Sequence, residues 1–544
     1  MTETKTITEF ARFEQEFLAT APDCQWEELN KLRETEFSRL DKQRQAYLDY
    51  TGSNLYPASL IMNFQSRLLE EVYGNPHSEN PTANLSSLVI EETRQRVLEY
   101  FNAEKDYCCI FTANATASLK LVGESYPFGE KGAYVYTHDN HNSVLGLRQY
   151  ALNKNASIEA VYLNNDYCFS KQELESTLSK YTATDGSGNR LFAFPAQSNS
   201  TGIKHSLELI DLAHAKGWDV LLDTAAYVST NKLDLQMVQP EFVCISFYKM
   251  FGFPTGIGCL LVKTKKEPFQ SSSAFGKLRN NKPAFFGGTV AYVSSNSEPI
   301  RHEGKEINHH PLNAILQFDH SAFEEGTPDF LSLPAVNDGL NFLEQIGIPL
   351  LQRRINALMR SLIHQLTQLK HQNGQPFAEI CGGNERNDRG SNILIKFKRS
   401  NGIQYWGGTL EKMLTEYNNQ PGEQYKVSVR IGTFCNPGVN ESCSMDQDDE
   451  TSGSYSVKLS EETSICNQNG GYAGTDYLSV LRRKLTDTTY QKYSREKHEE
   501  MKQNANRHGY MSGGMRVSIG MATTPRDIFE FLCFANYLLE RNPD

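Results

Sequence analysis

Between residues 107 and 262, short apolar runs alternate with helix-like stretches, and this alternation restricts the possible fold more than any other feature of the chain. The apolar runs cover 107–112, 133–137, 158–163, 191–195, 220–223, 243–246 and 258–262, with amphipathic stretches at 115–126, 143–152 and 207–216. Strands separated by helices predict an α/β fold, a mostly parallel sheet with helices on both faces. Ligands of such sheets bind beyond the carboxyl ends of the strands. Polar residues just past those ends are therefore the ones to inspect.

Beyond residue 311 the pattern changes. Helices at 334–346 and 351–369 lead to short strands near 392–398 and 426–431, and a strand at 515–519 precedes a helix at 525–540. A chain of 544 residues is too long for one core. The expected division is a large domain at 47–310 and a smaller α+β domain built from 311–544 with the helices of 1–46. The stretch 439–512 is polar, with an acidic run at 446–450, and reads as a solvated insertion.

Composition removes several function classes. A net charge of −11 with no basic stripe argues against a nucleic-acid partner. The first residues are polar rather than signal-like, and the apolar run 243–262 is broken by Lys249, Pro254 and glycines, so no membrane span is expected. The expectation is a soluble, cytoplasmic protein. Eleven cysteines without a CxxC pair suggest neither a disulfide framework nor a zinc site, and no metal is expected.

Asp223 closes a buried run, a costly place for a carboxylate without a cation or donors. Lys249 follows another apolar run and is ringed by Gly252, Gly256 and Gly258. Alone, the aspartate would be read as a helix cap and the lysine as a solvated side chain. Together they match what pyridoxal phosphate (PLP) requires: an amine made nucleophilic by desolvation and a carboxylate for the pyridine nitrogen. The turn Thr112-Ala113-Asn114-Ala115-Thr116 offers the amides and hydroxyl of a helix N-terminus, as a phosphate site or simply as a cap. His141 follows the next strand and is positioned either to stack on a ring or to cap a helix.

Several segments then resemble a known family: Asn75-Pro76-His77-Ser78, Phe194-Pro195-Ala196-Gln197-Ser198-Asn199, Ser246-Phe247-Tyr248-Lys249, Phe323-Glu324-Glu325-Gly326-Thr327-Pro328 and Arg430-Ile431-Gly432-Thr433-Phe434-Cys435-Asn436-Pro437-Gly438. They are similar to the N-terminal half of molybdenum-cofactor sulfurases, which group with cysteine desulfurases in the class V aminotransferases of PLP fold type I. The resemblance implies PLP on Lys249, with Asp223 at its ring nitrogen, Asn199 at its phenolic oxygen and His141 stacked on the ring. Ala115, Thr116, Ser246 and Tyr248 would hold the phosphate, and Thr289 would reach it from the partner subunit of a homodimer. Arg516 would clamp the substrate carboxylate, with Arg430 nearby. Cys435, five residues after Arg430, would be the nucleophile that takes sulfur from L-cysteine as a persulfide. One departure is Ala226, where many desulfurases have glutamine.

The reading is a PLP-dependent cysteine desulfurase. The alternative is a carbon–sulfur lyase or aminotransferase of the same class that does not require Cys435. Sulfurases of this kind continue into a cofactor-binding domain, whereas this sequence stops at Asp544. Transfer to a separate acceptor protein or small thiol, selected by the 439–512 stretch, is therefore expected.

Overall fold

Each of the seven apolar runs is a strand, and the central ones have no polar face because helices cover the sheet on both sides, whereas the edge strand Ser157–Val161 is only partly buried. In the computed structural model these strands are β1 (Tyr107–Thr112), β2 (Ala133–Thr137), β3 (Ser157–Val161), β4 (Arg190–Pro195), β5 (Asp219–Asp223), β6 (Phe242–Ser246) and β7 (Gly258–Lys263). The structure describes residues 3–181, 188–264, 273–281, 287–293, 301–303, 305–306, 314–422, 424–439 and 514–541. Every residue of β2, β4 and β6 is buried. The spatial order is β1-β7-β6-β5-β4-β2-β3, and only β7 runs antiparallel to its neighbours. The sheet is mostly parallel, as the alternation predicts. Its carboxyl edge collects Thr112, Thr137, Pro195, Asp223 and Ser246.

Two local expectations change. The helix expected at 143–152 is interrupted at Gly146, giving Asn142–Leu145 and Leu147–Asn153. The strand expected at 426–431 is two strands: Lys426–Ser428 pairs in parallel with Gln45–Tyr47, and Arg430–Gly432 joins a different sheet. That second sheet contains β8 (Ala378–Ile380), β9 (Asn392–Phe397), β10 (Arg430–Gly432) and β11 (Gly514–Ser518) in the order β8-β9-β11-β10, all antiparallel. The insertion expected at 439–512, with Cys443 and Cys466, lies outside the described residues apart from Val439.

One continuous apolar core links the two sheets, running from Phe17 and Trp26 through Phe194 and Ile245 to Ile395 and Leu538. Helix Pro525–Arg541 packs on both Glu3–Thr20 and Ile348–Gln368, tying the N-terminal helices to the C-terminal part. Its Asp527, fully buried, accepts from Arg33 Nη1 at 2.6 Å, and Arg33 is 3% exposed. Burial raises the Asp527 carboxyl above its ordinary pKa while Arg33 opposes that shift. Arg33→Met should therefore destabilise the fold by about 3–5 kcal/mol, because it leaves a buried charge without its partner. Urea midpoints at unchanged slope measure this, and adding Asp527→Asn should recover most of the loss. A midpoint equal to wild type would mean that the pair adds nothing.

Among the described residues, no helix is long and apolar enough to cross a membrane, and no His/Cys/Asp/Glu group could hold a metal ion.

Candidate active site

The loops at the carboxyl edge of the large sheet enclose a cavity of about 160 Å³. Lys249 enters it from the short helix Phe247–Phe251, directly after β6. Two features hold that turn. Gly252 ends the helix at φ 82°, where an added Cβ would sit 2.3 Å from the Tyr56 amide. The Asn54 amide donates to the Met250 carbonyl at 2.8 Å. The Lys249 side chain is partly buried, and its Nζ forms no hydrogen bond or ion pair with any described residue. Burial pulls its pKa below the ordinary lysine value; Asp223 opposes this, Arg516 and Arg430 reinforce it, and Cys435 opposes it.

Asp223 ends β5 and is 9% exposed. Its Oδ1 accepts from the Ala225 amide at 3.0 Å, which fixes the carboxylate on the cavity wall. Ala226 also lines the cavity, where a glutamine would have added an amide. Helix Ala115–Ser125 points its N-terminus into the cavity, with Asn114 capping the Ala117 amide at 3.0 Å. Ser246 Oγ accepts from the Ala115 amide at 2.9 Å, so that amide already has a partner while the serine proton remains free to donate. The Thr116 and Ser143 hydroxyls meet at 2.7 Å. Burial raises the Tyr248 hydroxyl above its ordinary pKa, against an opposing effect from Arg430, and keeps it a neutral donor.

His141 caps the next helix: its Nδ1 accepts from the Ser143 amide at 3.1 Å. Burial lowers its pKa, so the ring is neutral near pH 7 and carries its proton on Nε2. The ring lines the cavity beside Asn199 and Asp223.

Two residues are differently engaged from the resemblance. Asn199 lines the cavity, but its Nδ2 donates to the Phe434 carbonyl at 2.8 Å and its Oδ1 accepts from Asn436 at 2.8 Å. Arg516, 2% exposed, donates from Nη2 to Asp49 at 2.7 Å and from Nη1 to the Asn199 carbonyl at 2.9 Å. Its Nε is buried without a partner. A two-pronged grip on a substrate carboxylate requires Asp49 to yield. Arg430 also faces Asp49, at 2.8 Å, so its charge is shared with that carboxylate rather than committed to Cys435.

Cys435 is exposed, on the loop after β10, and its carbonyl accepts from the Asn142 amide at 2.7 Å. Thr289 is not brought to the cavity. It is fully buried in its own chain with an unpartnered hydroxyl, so the expected reach to a partner subunit requires that side chain to come out. Sequence reasoning missed Ser143, Gln197 and Asn436. Ser143 follows His141 by two positions, a spacing that marks a side chain-capped turn, and Asn436 caps the Val439 amide three positions on; Gln197 carries no local signal.

The groups fit PLP. An unpartnered amine shares one small cavity with a buried carboxylate, a neutral imidazole and hydroxyls at a helix N-terminus, which match its aldehyde, pyridine nitrogen, ring and phosphate. Because the folded protein holds the Lys249 proton more weakly than free lysine does, the neutral amine persists to lower pH. Covalent loading of PLP should thus rise with pH through a midpoint below that of ordinary lysine. Stopped-flow absorbance measures it, and a midpoint at the ordinary lysine value would overturn the desolvation argument.

A family profile for class-V aminotransferases matches residues 46–400. A molybdenum cofactor sulfurase from Solanum lycopersicum is 30% identical over 93% of this chain and 56% of its own length. One from Bombyx mori is 35% identical over 74% of this chain and 48% of its own. The chain spans about half the length of the curated relatives it matches. Among solved structures, the apo cysteine desulfurase of Thermococcus onnurineus NA1 superposes with a TM-score of 0.67 at 17% identity, covering 94% of this chain and 98% of that one. A cysteine desulfurase from Escherichia coli gives 0.63 at 16% identity, covering 94% and 98%. At those identities the likeness is one of fold. The profile match takes in the whole large sheet and every cavity-lining residue, and with it the chain belongs to the class-V aminotransferase family.

Proposed function

We propose that the chain is a PLP-dependent cysteine desulfurase that moves sulfur from L-cysteine to Cys435 and then to an acceptor. The observation that carries this reading is an exposed cysteine on a loop hydrogen-bonded to two residues of the cofactor cavity wall or its rim, Asn199 and Asn142. The names of the relatives, molybdenum cofactor sulfurases, point the same way.

When bound, PLP would supply an electron sink for the substrate α-carbon. Lys249 would hold it covalently and, once freed, move the α-proton, for which a low-pKa amine is suited. Asp223 would keep its ring nitrogen protonated, and Thr116, Ser246 and Tyr248 would donate to its phosphate. Arg516 would take the substrate carboxylate as Asp49 shifts toward Arg430. The Cys435 thiolate attacks the substrate sulfur; an S–S bond forms as the C–S bond breaks. The electron pair stays on carbon, which gains a proton and leaves as alanine.

The proposal extends to a homodimer in the cytoplasm and to a sulfur acceptor. Incubation with cysteine tests it. Alanine formed in step with protein persulfide supports the reading. Pyruvate with free sulfide would mark a lyase, and dependence on a 2-oxo acid would mark a transaminase.

A further inference from the structure

Phe434 and Cys435 both have left-handed backbones, at φ 56° and 55°. Two consecutive side-chain-bearing residues hold that conformation only where their surroundings over-determine it. The surroundings are on the opposite sheet. The Phe434 carbonyl accepts from Asn199 and the Cys435 carbonyl from the Asn142 amide, so both carbonyls of the strained pair are anchored to loops of the cofactor cavity. Behind them lies Asn436, 0% exposed, with its whole amide in use. Its Nδ2 donates to the Asp139 carbonyl at 2.7 Å and to Asn199 Oδ1 at 2.8 Å, and its Oδ1 accepts from the Val439 amide at 3.2 Å. The anchor is itself rigid, since the buried Asp139 side chain is held by His205 at 2.7 Å and by Thr137 at 2.9 Å. Gly438 closes the loop so tightly that an added Cβ would lie 1.9 Å from the His138 carbonyl.

We propose that Asn436 is a positioning residue: its buried amide latches the Cys435 loop to the cavity wall and so sets where the nucleophilic sulfur stands. This rests on the desulfurase reading above. Asn436 does not line the cavity. It acts through Asn199, which it orients so that the Asn199 Nδ2 faces Phe434. The latch therefore governs sulfur attack rather than cofactor or cysteine binding.

Two variants release the loop in different ways. Asn436→Ser removes the amide. Asn142→Pro removes only the N–H that holds the Cys435 carbonyl. Asn142 is the first residue of helix Asn142–Leu145, where proline is tolerated, and His141 before it, at φ −64° and ψ 150°, has the backbone that precedes proline. In both PLP-loaded variants, amide hydrogen exchange over residues 433–438 should accelerate by about tenfold or more. The kcat for alanine should fall by about tenfold or more, with KM for cysteine and the cofactor band close to wild type. If Asn436→Ser fails to fold, Asn142→Pro carries the test. Wild-type exchange rates, faster exchange with unchanged kcat, or a loss confined to KM would each overturn the proposal. If even the wild type forms no alanine, the desulfurase reading fails, and the exchange measurement alone decides whether Asn436 holds the loop.

Discussion

Lys249→Ala should fold normally, bind PLP without a covalent bond and lose the visible absorption of a lysine-linked cofactor. The fold should survive because Lys249 Nζ has no hydrogen-bonding partner among the described residues, so its removal leaves no buried group stranded. The turn that carries it is held instead by Gly252 and Asn54, which the substitution does not touch. The chemical effect is large because one amine has two roles. Proton transfer by a positioned group is worth about 10²–10⁴-fold, and loss of the covalent tether adds to that. Absorbance of the dialysed variant reads the loss of the tether, and alanine formation reads the loss of proton transfer. Borohydride reduction of the wild type followed by peptide mapping should place the cofactor on the 247–251 peptide. An unchanged band in Lys249→Ala, or a label elsewhere, would remove Lys249 from its assigned place.

The parts of this molecule legible in the sequence are those whose physical cause is local. Strands β4 and β6 are buried on both faces, so they appear as continuous apolar runs. Asp223 and Ser246 stand out because a polar residue that closes such a run must have a partner. His141 and Asn114 cap helices within three positions of themselves, and that spacing can be read from the chain. What was not legible depends on approaches across the fold. Asn199 and Asn436 meet across 237 positions, and Asp49 reaches Arg516 across 467; neither asparagine nor aspartate announces such a partner. Arg516 was expected with its guanidinium free for substrate because a motif supplies a residue's place but not its competing contacts. The strand expected at 426–431 divides for a related reason, since its two halves find different partners, Gln45–Tyr47 and β11. Thr289 was assigned outward by resemblance, whereas burial within its own chain places it inward.

Cys435→Ser should separate the cofactor from sulfur chemistry. The side chain is exposed and does not line the cavity, so PLP loading, the visible band and thermal stability should all match wild type. The substitution is nearly isosteric, and the loop conformation rests on backbone carbonyls held by Asn199 and Asn142, which serine retains. The variant should still bind cysteine, because that depends on Lys249 and Arg516. It should form no protein persulfide, since a serine oxygen cannot accept the sulfur atom and leave it transferable. Alanine formation in a single turnover should fall by several orders of magnitude, the scale on which removal of a covalent nucleophile acts. Mass spectrometry of the trapped 435 peptide measures the persulfide, and quenched-flow chromatography measures alanine. Alanine at the wild-type rate would mean that another thiol or free cysteine accepts the sulfur. Sulfide and pyruvate at the wild-type rate would mean that elimination, not transfer to Cys435, is the reaction of this site. Loss of both products with retained cofactor leaves Cys435 as the sulfur carrier, and the Asn436 latch then becomes a question about how fast it works.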